Sequence, residues 1–100
     1  MNTGTETKKQ NGYQDPVLEI KVDVFKENVY GAIAGLLDLA ERMGVDIKKD
    51  SEHTIVKMYH ELLEMRDKAY QYETIAEVDE ADDRLIEIQK YCASMRKELK

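Results

Sequence analysis

Residues 25–44 read FKENVYGAIAGLLDLAERMG. Apolar side chains recur in this stretch at steps of three and four residues, which places them on one side of an α-helix. They are Phe25, Val29, Ala32, Ile33, Leu36, Leu37, Ala40 and Met43. Asp23 is positioned to cap the first turn, and Gly44 stands where a left-handed residue ends many helices. The stretch therefore predicts a first helix between Asp23 and Gly44.

Two further helices follow with the same periodicity. Asp50 or Ser51 is positioned to cap the second helix, and Thr74 with Glu77 forms a capping-box pattern that starts the third. The apolar side of the second helix is Ile55, Met58, Tyr59, Leu62, Met65 and Ala69. That of the third is Val78, Ala81, Leu85, Ile88, Cys92, Met95 and Leu99. The sequence predicts an all-α fold in which three principal helices form a small bundle.

The chain before the first helix has two parts. Residues 1–16 are polar and rich in Gly, Asn and Thr, so we expect a disordered arm followed by a single helical domain over residues 17–100. From Val17 to Val24, apolar and charged residues alternate, which favours a short half-buried strand. Such a strand would either pair with another chain or lie as an extended segment along the helices.

The small size of the domain favours self-association. A chain of 100 residues buries only about two thirds of the surface that its unfolded state exposes, so an additional interface would stabilise it. Gly31 and Gly35 lie one turn apart in the first helix, where small residues permit another helix to approach closely. We expect a homodimer that covers the apolar sides of the first and third helices.

Composition excludes several classes of protein. No run approaches the roughly 20 apolar residues that a membrane-spanning helix requires. The formal net charge of −6 argues against binding to duplex nucleic acid. Cys92 is the only cysteine and cannot form an internal disulfide. These features are typical of a soluble protein of the cytoplasm.

Acidic side chains offer the one candidate site for chemistry. Glu61 and Glu64 lie one turn apart on the second helix, and Glu80 and Asp83 do so on the third. If the two pairs face each other, four carboxylates could hold one or two Mg²⁺ ions, because hard cations prefer oxygen ligands. Bound Mg²⁺ would neutralise a triphosphate and activate a water molecule for attack on phosphorus.

The same acids have a simpler interpretation as a solvated surface. The chain contains 21 acidic residues, so pairs with this spacing are common by chance. Lys57 with Glu61 and Glu64 with Lys68 have the spacing of surface ion pairs along one helix. Both acid pairs also lie away from the apolar side of their helix. The residues alone leave these two interpretations open.

Residues 37–83 resemble the MazG-like, all-α nucleoside triphosphate pyrophosphohydrolases. The similar segments are LAERMG at 39–44, Lys57, HELLEM at 60–65 and DEADDRL at 79–85. The resemblance implies Mg²⁺ as cofactor, Glu61, Glu64, Glu80 and Asp83 as its ligands, Lys57 as a phosphate contact and a nucleotide as substrate. Leu63 and Asp82 stand where the family usually has Gly.

A second function class follows from the acids of the third helix. Five of the seven residues from Glu77 to Asp83 are acidic. Such a surface can bind a basic protein partner. The sequence thus supports either a Mg²⁺-dependent pyrophosphohydrolase or a non-catalytic helical interaction protein, regulatory or inhibitory, that acts through its third helix and N-terminal arm.

Overall fold

A computed structural model describes residues 15–99. Helix α1 spans Pro16–Met43, α2 spans Thr54–Lys68 and α3 spans Ile75–Glu98, with a 3₁₀ turn at Ala69–Gln71 between the last two. The described residues contain no strand. The prediction of an all-α protein with three principal helices is therefore confirmed. The predicted disordered arm lies almost entirely outside the described residues.

The prediction of a strand from Val17 to Val24 is wrong, because this segment forms the first two turns of α1. Asp15 caps the helix by accepting a hydrogen bond from the Val17 backbone N–H at 2.9 Å, and Pro16 occupies the first turn. The alternating pattern also contains pairs of apolar residues four positions apart, which lie on the same side of a helix. Helix α1 buries one such pair, Leu18 and Val22, and leaves Val24 exposed. Alternation over eight residues therefore fits a helix with two apolar sides.

The predicted capping residues of α1 and α2 are also wrong, because both helices begin at other residues. Asp23 lies inside α1, where its carboxylate accepts a hydrogen bond from the Tyr70 hydroxyl at 2.8 Å. His53 caps α2, because its Nδ1 accepts a hydrogen bond from the Ile55 backbone N–H at 3.1 Å. Asp50 serves the preceding connection instead, where its carboxylate accepts a hydrogen bond from the Asp46 backbone N–H at 2.7 Å.

Two predicted helix boundaries are confirmed. Gly44 ends α1 with a φ of 71°, a left-handed conformation that favours glycine. Thr74 begins α3 with a complete capping box, in which its hydroxyl accepts a hydrogen bond from the Glu77 backbone N–H and the Glu77 carboxylate accepts one from the Thr74 backbone N–H. These local signals depend only on neighbouring residues, which is why the sequence carries them.

Helices α2 and α3 both pack on α1 and touch each other much less. Lys21 of α1 donates to Asp79 of α3 at 2.8 Å near the start of both helices, and Arg96 Nη2 lies 3.7 Å from Asp38 near their ends. Helices α1 and α3 therefore run parallel, and α2 runs in the opposite direction. The buried core is Leu18, Val22, Phe25, Val29, Leu36, Leu39, Ala40, Ile55, Met58, Leu62, Met65, Ala69, Val78, Leu85, Ile88 and Cys92.

The two glycines of α1 do not bring another helix into close contact within the chain. A Cβ atom added to Gly31 would meet no atom within 4 Å, and one added to Gly35 would lie 3.4 Å from the Arg96 guanidinium. Arg96 donates a hydrogen bond to the Gly35 carbonyl oxygen. Within the chain the space beside Gly31 is therefore open, and close packing of a second helix against these glycines stays a prediction for the dimer. Across residues 15–99, no helix combines the length and apolar character needed to cross a membrane.

Candidate functional site

The four predicted metal ligands lie on the two helices that pack against α1. Glu61 and Glu64 belong to α2, and Glu80 and Asp83 belong to the first half of α3. Glu61 is half-buried, whereas the other three are exposed. Asp83 lies on the side of α3 away from its buried residues, as the helical period requires.

Glu61 is bound by Arg84 across the contact between α2 and α3. Arg84 Nε donates to Glu61 Oε2 at 2.8 Å, and Nη2 donates to Oε1 at 2.7 Å. These hydrogen bonds lower the pKa of the Glu61 carboxyl, against the opposing effect of partial burial. They also raise the pKa of Arg84, which makes a further ion pair with Glu87 at 3.0 Å.

This arrangement of side chains does not fit a Mg²⁺ ion. Within residues 15–99, no group of three or more His, Cys, Asp or Glu side chains is positioned to hold a metal ion. Both oxygens of Glu61 accept hydrogen bonds from Arg84, and the guanidinium places a positive charge where a cation would bind. The predicted ligand set therefore stays a prediction.

Lys57, the predicted phosphate contact, lies on the first turn of α2. Its ammonium group is 3.4 Å from the Glu52 carboxylate in the preceding connection, and both side chains are largely exposed. The expected pairing of Lys57 with Glu61 does not occur, because Arg84 reaches Glu61 from the neighbouring helix. Lys57 therefore behaves as a surface cation in this arrangement.

The acidic stretch at the start of α3 divides into two groups. Glu77 completes the capping box, and hydrogen bonds from the backbone N–H groups of Glu73 and Thr74 lower its pKa. Asp79 pairs with Lys21 of α1. The remaining acids, Glu80, Asp82 and Asp83, make no ion pair among residues 15–99. They are the acids of this stretch whose charges are available to a partner.

Apolar side chains are exposed along the neighbouring surface, beside the line where α1 meets α3. Val17, Ile20 and Val24 of α1 are 55%, 62% and 52% exposed, and Ile86 of α3 is 39% exposed. Ile20 and Val24 flank a depression that is completed by Val78 and Asp82 of α3. We refer to these four exposed side chains, together with the groove beside Gly31, Gly35 and Ala93, as the open face.

The groove of the open face is a direct consequence of small residues. Gly31 and Gly35 of α1 lie opposite Ala93 of α3, and the buried side chains of Leu36, Ile88 and Cys92 form its floor. The resulting volume of about 360 Å³ is open to solvent. The predicted strand does not contain this surface, because it treats Val17, Ile20 and Val24 as part of an extended segment. Their spacing of three and four residues is itself a helical signal.

Comparison with family models, with curated proteins and with solved structures finds no match to this chain.

Proposed function

We propose that this protein is a non-catalytic helical interaction protein that binds a protein partner through the open face and the first half of α3. The observation that carries the proposal is the open face itself. Contiguous exposed apolar residues bordered by charges are typical of protein-binding surfaces, whereas scattered ones are ordinary. Here Ile20 and Val24 flank a depression between α1 and α3, and the groove beside Gly31, Gly35 and Ala93 lies farther along the same two helices.

Asp82 of α3 adds negative charge to this surface. It borders the open face, whereas Glu80, two residues earlier, lies on nearly the opposite side of the helix. Exposed charges of one sign attract a partner of the opposite sign, and salt screens that attraction over about 10 Å at 0.1 M ionic strength. Binding should therefore weaken as the salt concentration rises.

Three finer parts of the proposal come from the sequence. They are homodimer formation, a contribution of the N-terminal arm to binding, and a cytoplasmic location. The last is supported by Cys92, which is a free and buried thiol. A regulatory or inhibitory role is consistent with a protein that binds without catalysing a reaction.

Hydrolysis of nucleoside triphosphates is the alternative function, and it rests on the resemblance of residues 37–83 to the MazG-like family. By that resemblance Glu61, Glu64, Glu80 and Asp83 would hold Mg²⁺ and Lys57 would contact a phosphate. The pairing of Glu61 with a guanidinium disfavours the metal on which that activity depends.

Variants of the open face test the proposal. We expect Val24→Glu to abolish partner capture by the immobilised full-length chain, because a charge in an apolar interface must be desolvated. Tyr30→Glu is the matched control, since Tyr30 is 50% exposed on another side of α1. The measurement is the amount of protein partner that is retained by the immobilised wild type and by each of the two variants. Equal loss in both variants, or none in Val24→Glu, would contradict the proposal.

A further inference from the structure

We infer that the partner bound by the open face is a second copy of this chain, docked antiparallel so that α1 meets α1 and α3 meets α3 of the partner subunit. This inference rests on the proposed function, because it requires the open face to bind protein. It adds that the open face forms the homodimer interface, and it gives the direction of docking and the residues that meet.

Charge along α3 is the first argument. Residues 75–87 contain six acids and one base, whereas residues 88–99 contain three bases and one acid. One side of the helix shows the same change from acidic to basic residues. Asp82, Ile86 and Lys90 follow one another there at four-residue steps. This side is acidic at one end, apolar at its centre and basic at the other end. Such a surface is complementary to itself when one copy is inverted.

Helix direction supports the same arrangement. A twofold axis along the helices would place the acidic halves of two α3 helices at the same end of the dimer, where they would repel each other. It would also align the dipoles of four parallel helices. A twofold axis across the helices opposes each acidic half to a basic half, and each helix dipole to its inverse. The charges of α3 and the helix dipoles therefore both favour the second arrangement.

The register between α1 and α3 identifies the residues that meet. Lys21 pairs with Asp79, so Asn28 lies level with Ile86 at the middle of the open face. An axis through this point brings Ile86 next to its own counterpart. Asp82 then meets Lys90 of the partner subunit, and Val24 of each copy enters the groove beside Gly31 and Gly35 of the other. The small residues that leave the groove empty in one chain accommodate side chains of the second.

A charge exchange tests this docking directly. We expect Asp82→Lys and Lys90→Glu each to weaken dimerisation by at least about fivefold, because each places like charges together across the interface. The double variant restores wild-type dimerisation, since the two positions again carry opposite charges between copies. Within one chain the two residues are two turns apart, about 12 Å along the helix, so the rescue cannot arise inside a subunit. Sedimentation of the full-length chain across a concentration series measures the dissociation constant.

Cross-linking provides an independent readout of the direction. We expect Ile86→Cys to be joined to its own counterpart by a short thiol-reactive cross-linker, because Ile86 lies at the centre. Tyr30→Cys serves as control, and wild type is a second control because Cys92 is buried. The expected result is a covalent dimer of twice 11.6 kDa for Ile86→Cys alone.

Three outcomes would overturn the inference. If the chain is a monomer at every concentration, the partner is not a second copy of the chain. The proposed function would still stand if wild type bound a different protein and Val24→Glu did not. A dimer whose charge-exchanged double variant is no tighter than either single variant would contradict the antiparallel docking. Failure of Ile86→Cys to cross-link in a sample that sediments as a dimer would contradict the placement of the axis.

Discussion

Arg84 on α3 donates two hydrogen bonds, at 2.8 and 2.7 Å, to the two carboxylate oxygens of Glu61 on α2. Bidentate pairing of a guanidinium with a carboxylate fixes both the distance and the orientation of the partners. Because α2 and α3 otherwise contact each other little, this ion pair is the principal polar connection between them among residues 15–99. Glu61 therefore has a structural role, because it connects α2 to α3.

A double-mutant cycle on this pair should give a coupling energy of about 1 kcal/mol, at the upper end for partly exposed ion pairs. The variants are Glu61→Gln, Arg84→Gln and their combination, and urea unfolding measures each free energy of unfolding. A coupling energy indistinguishable from zero would show that the pair does not stabilise the protein.

The contribution of Glu61 should also depend on pH. Arg84 lowers the pKa of Glu61 in the folded protein below its ordinary value of 4.5, so the unfolded chain takes up the proton first as pH falls. The stability that wild type gains over Glu61→Gln is thus complete well above pH 4.5 and declines as pH falls through the lowered pKa. Urea unfolding at a series of pH values would contradict this if the difference grew towards acid pH.

Helix caps give a prediction with an internal control. Thr74→Ala should lower the free energy of unfolding by about 1 kcal/mol, because it removes the acceptor for the Glu77 backbone N–H. Ser51→Ala should change it by less than about 0.5 kcal/mol, because His53 caps α2. Chemical unfolding of the two variants measures both values, and a similar loss in each would refute the assignment of the caps.

Gly31→Ala should stabilise the monomer by about 0.5–1 kcal/mol, because the added methyl group meets open space and alanine favours the helix. The same methyl group should weaken dimerisation, since it occupies the groove. Gly44→Ala is the control and should destabilise the monomer, because Gly44 has a φ of 71°. Unfolding at a concentration where the chain is monomeric, together with sedimentation, separates the two effects. A Gly31→Ala dimer as tight as wild type would contradict the role of the groove.

The local elements of the fold follow from sequence, whereas the contacts between helices do not. Thr74 and Glu77 form a cap from neighbouring residues, and Gly44 ends a helix by its own conformational freedom. The pairing of Arg84 with Glu61, 23 positions apart in sequence, depends on how α2 and α3 align, which periodicity does not specify. The pattern from Val17 to Val24 is ambiguous, because apolar residues at every second position lie on one side of a strand but on two sides of a helix.

Magnesium provides a thermodynamic prediction about the acids. A ligand that binds only the folded state raises the melting temperature. Because Glu61 is paired with Arg84, we expect millimolar Mg²⁺ to leave the melting temperature unchanged relative to Na⁺ at the same ionic strength. Glu64→Gln should respond in the same way and change stability by at most about 0.5 kcal/mol. A saturable rise that Glu64→Gln removes would establish a metal site.

The most direct test of a binding function without catalysis is pyrophosphate release from the common nucleoside triphosphates at millimolar Mg²⁺. We predict no release above the buffer blank by the full-length wild-type chain, because the acids of α2 and α3 do not form a metal-binding cluster among the described residues. Release of pyrophosphate by wild type, abolished in Glu64→Gln while the variant remains folded, would contradict the account and establish the hydrolase instead.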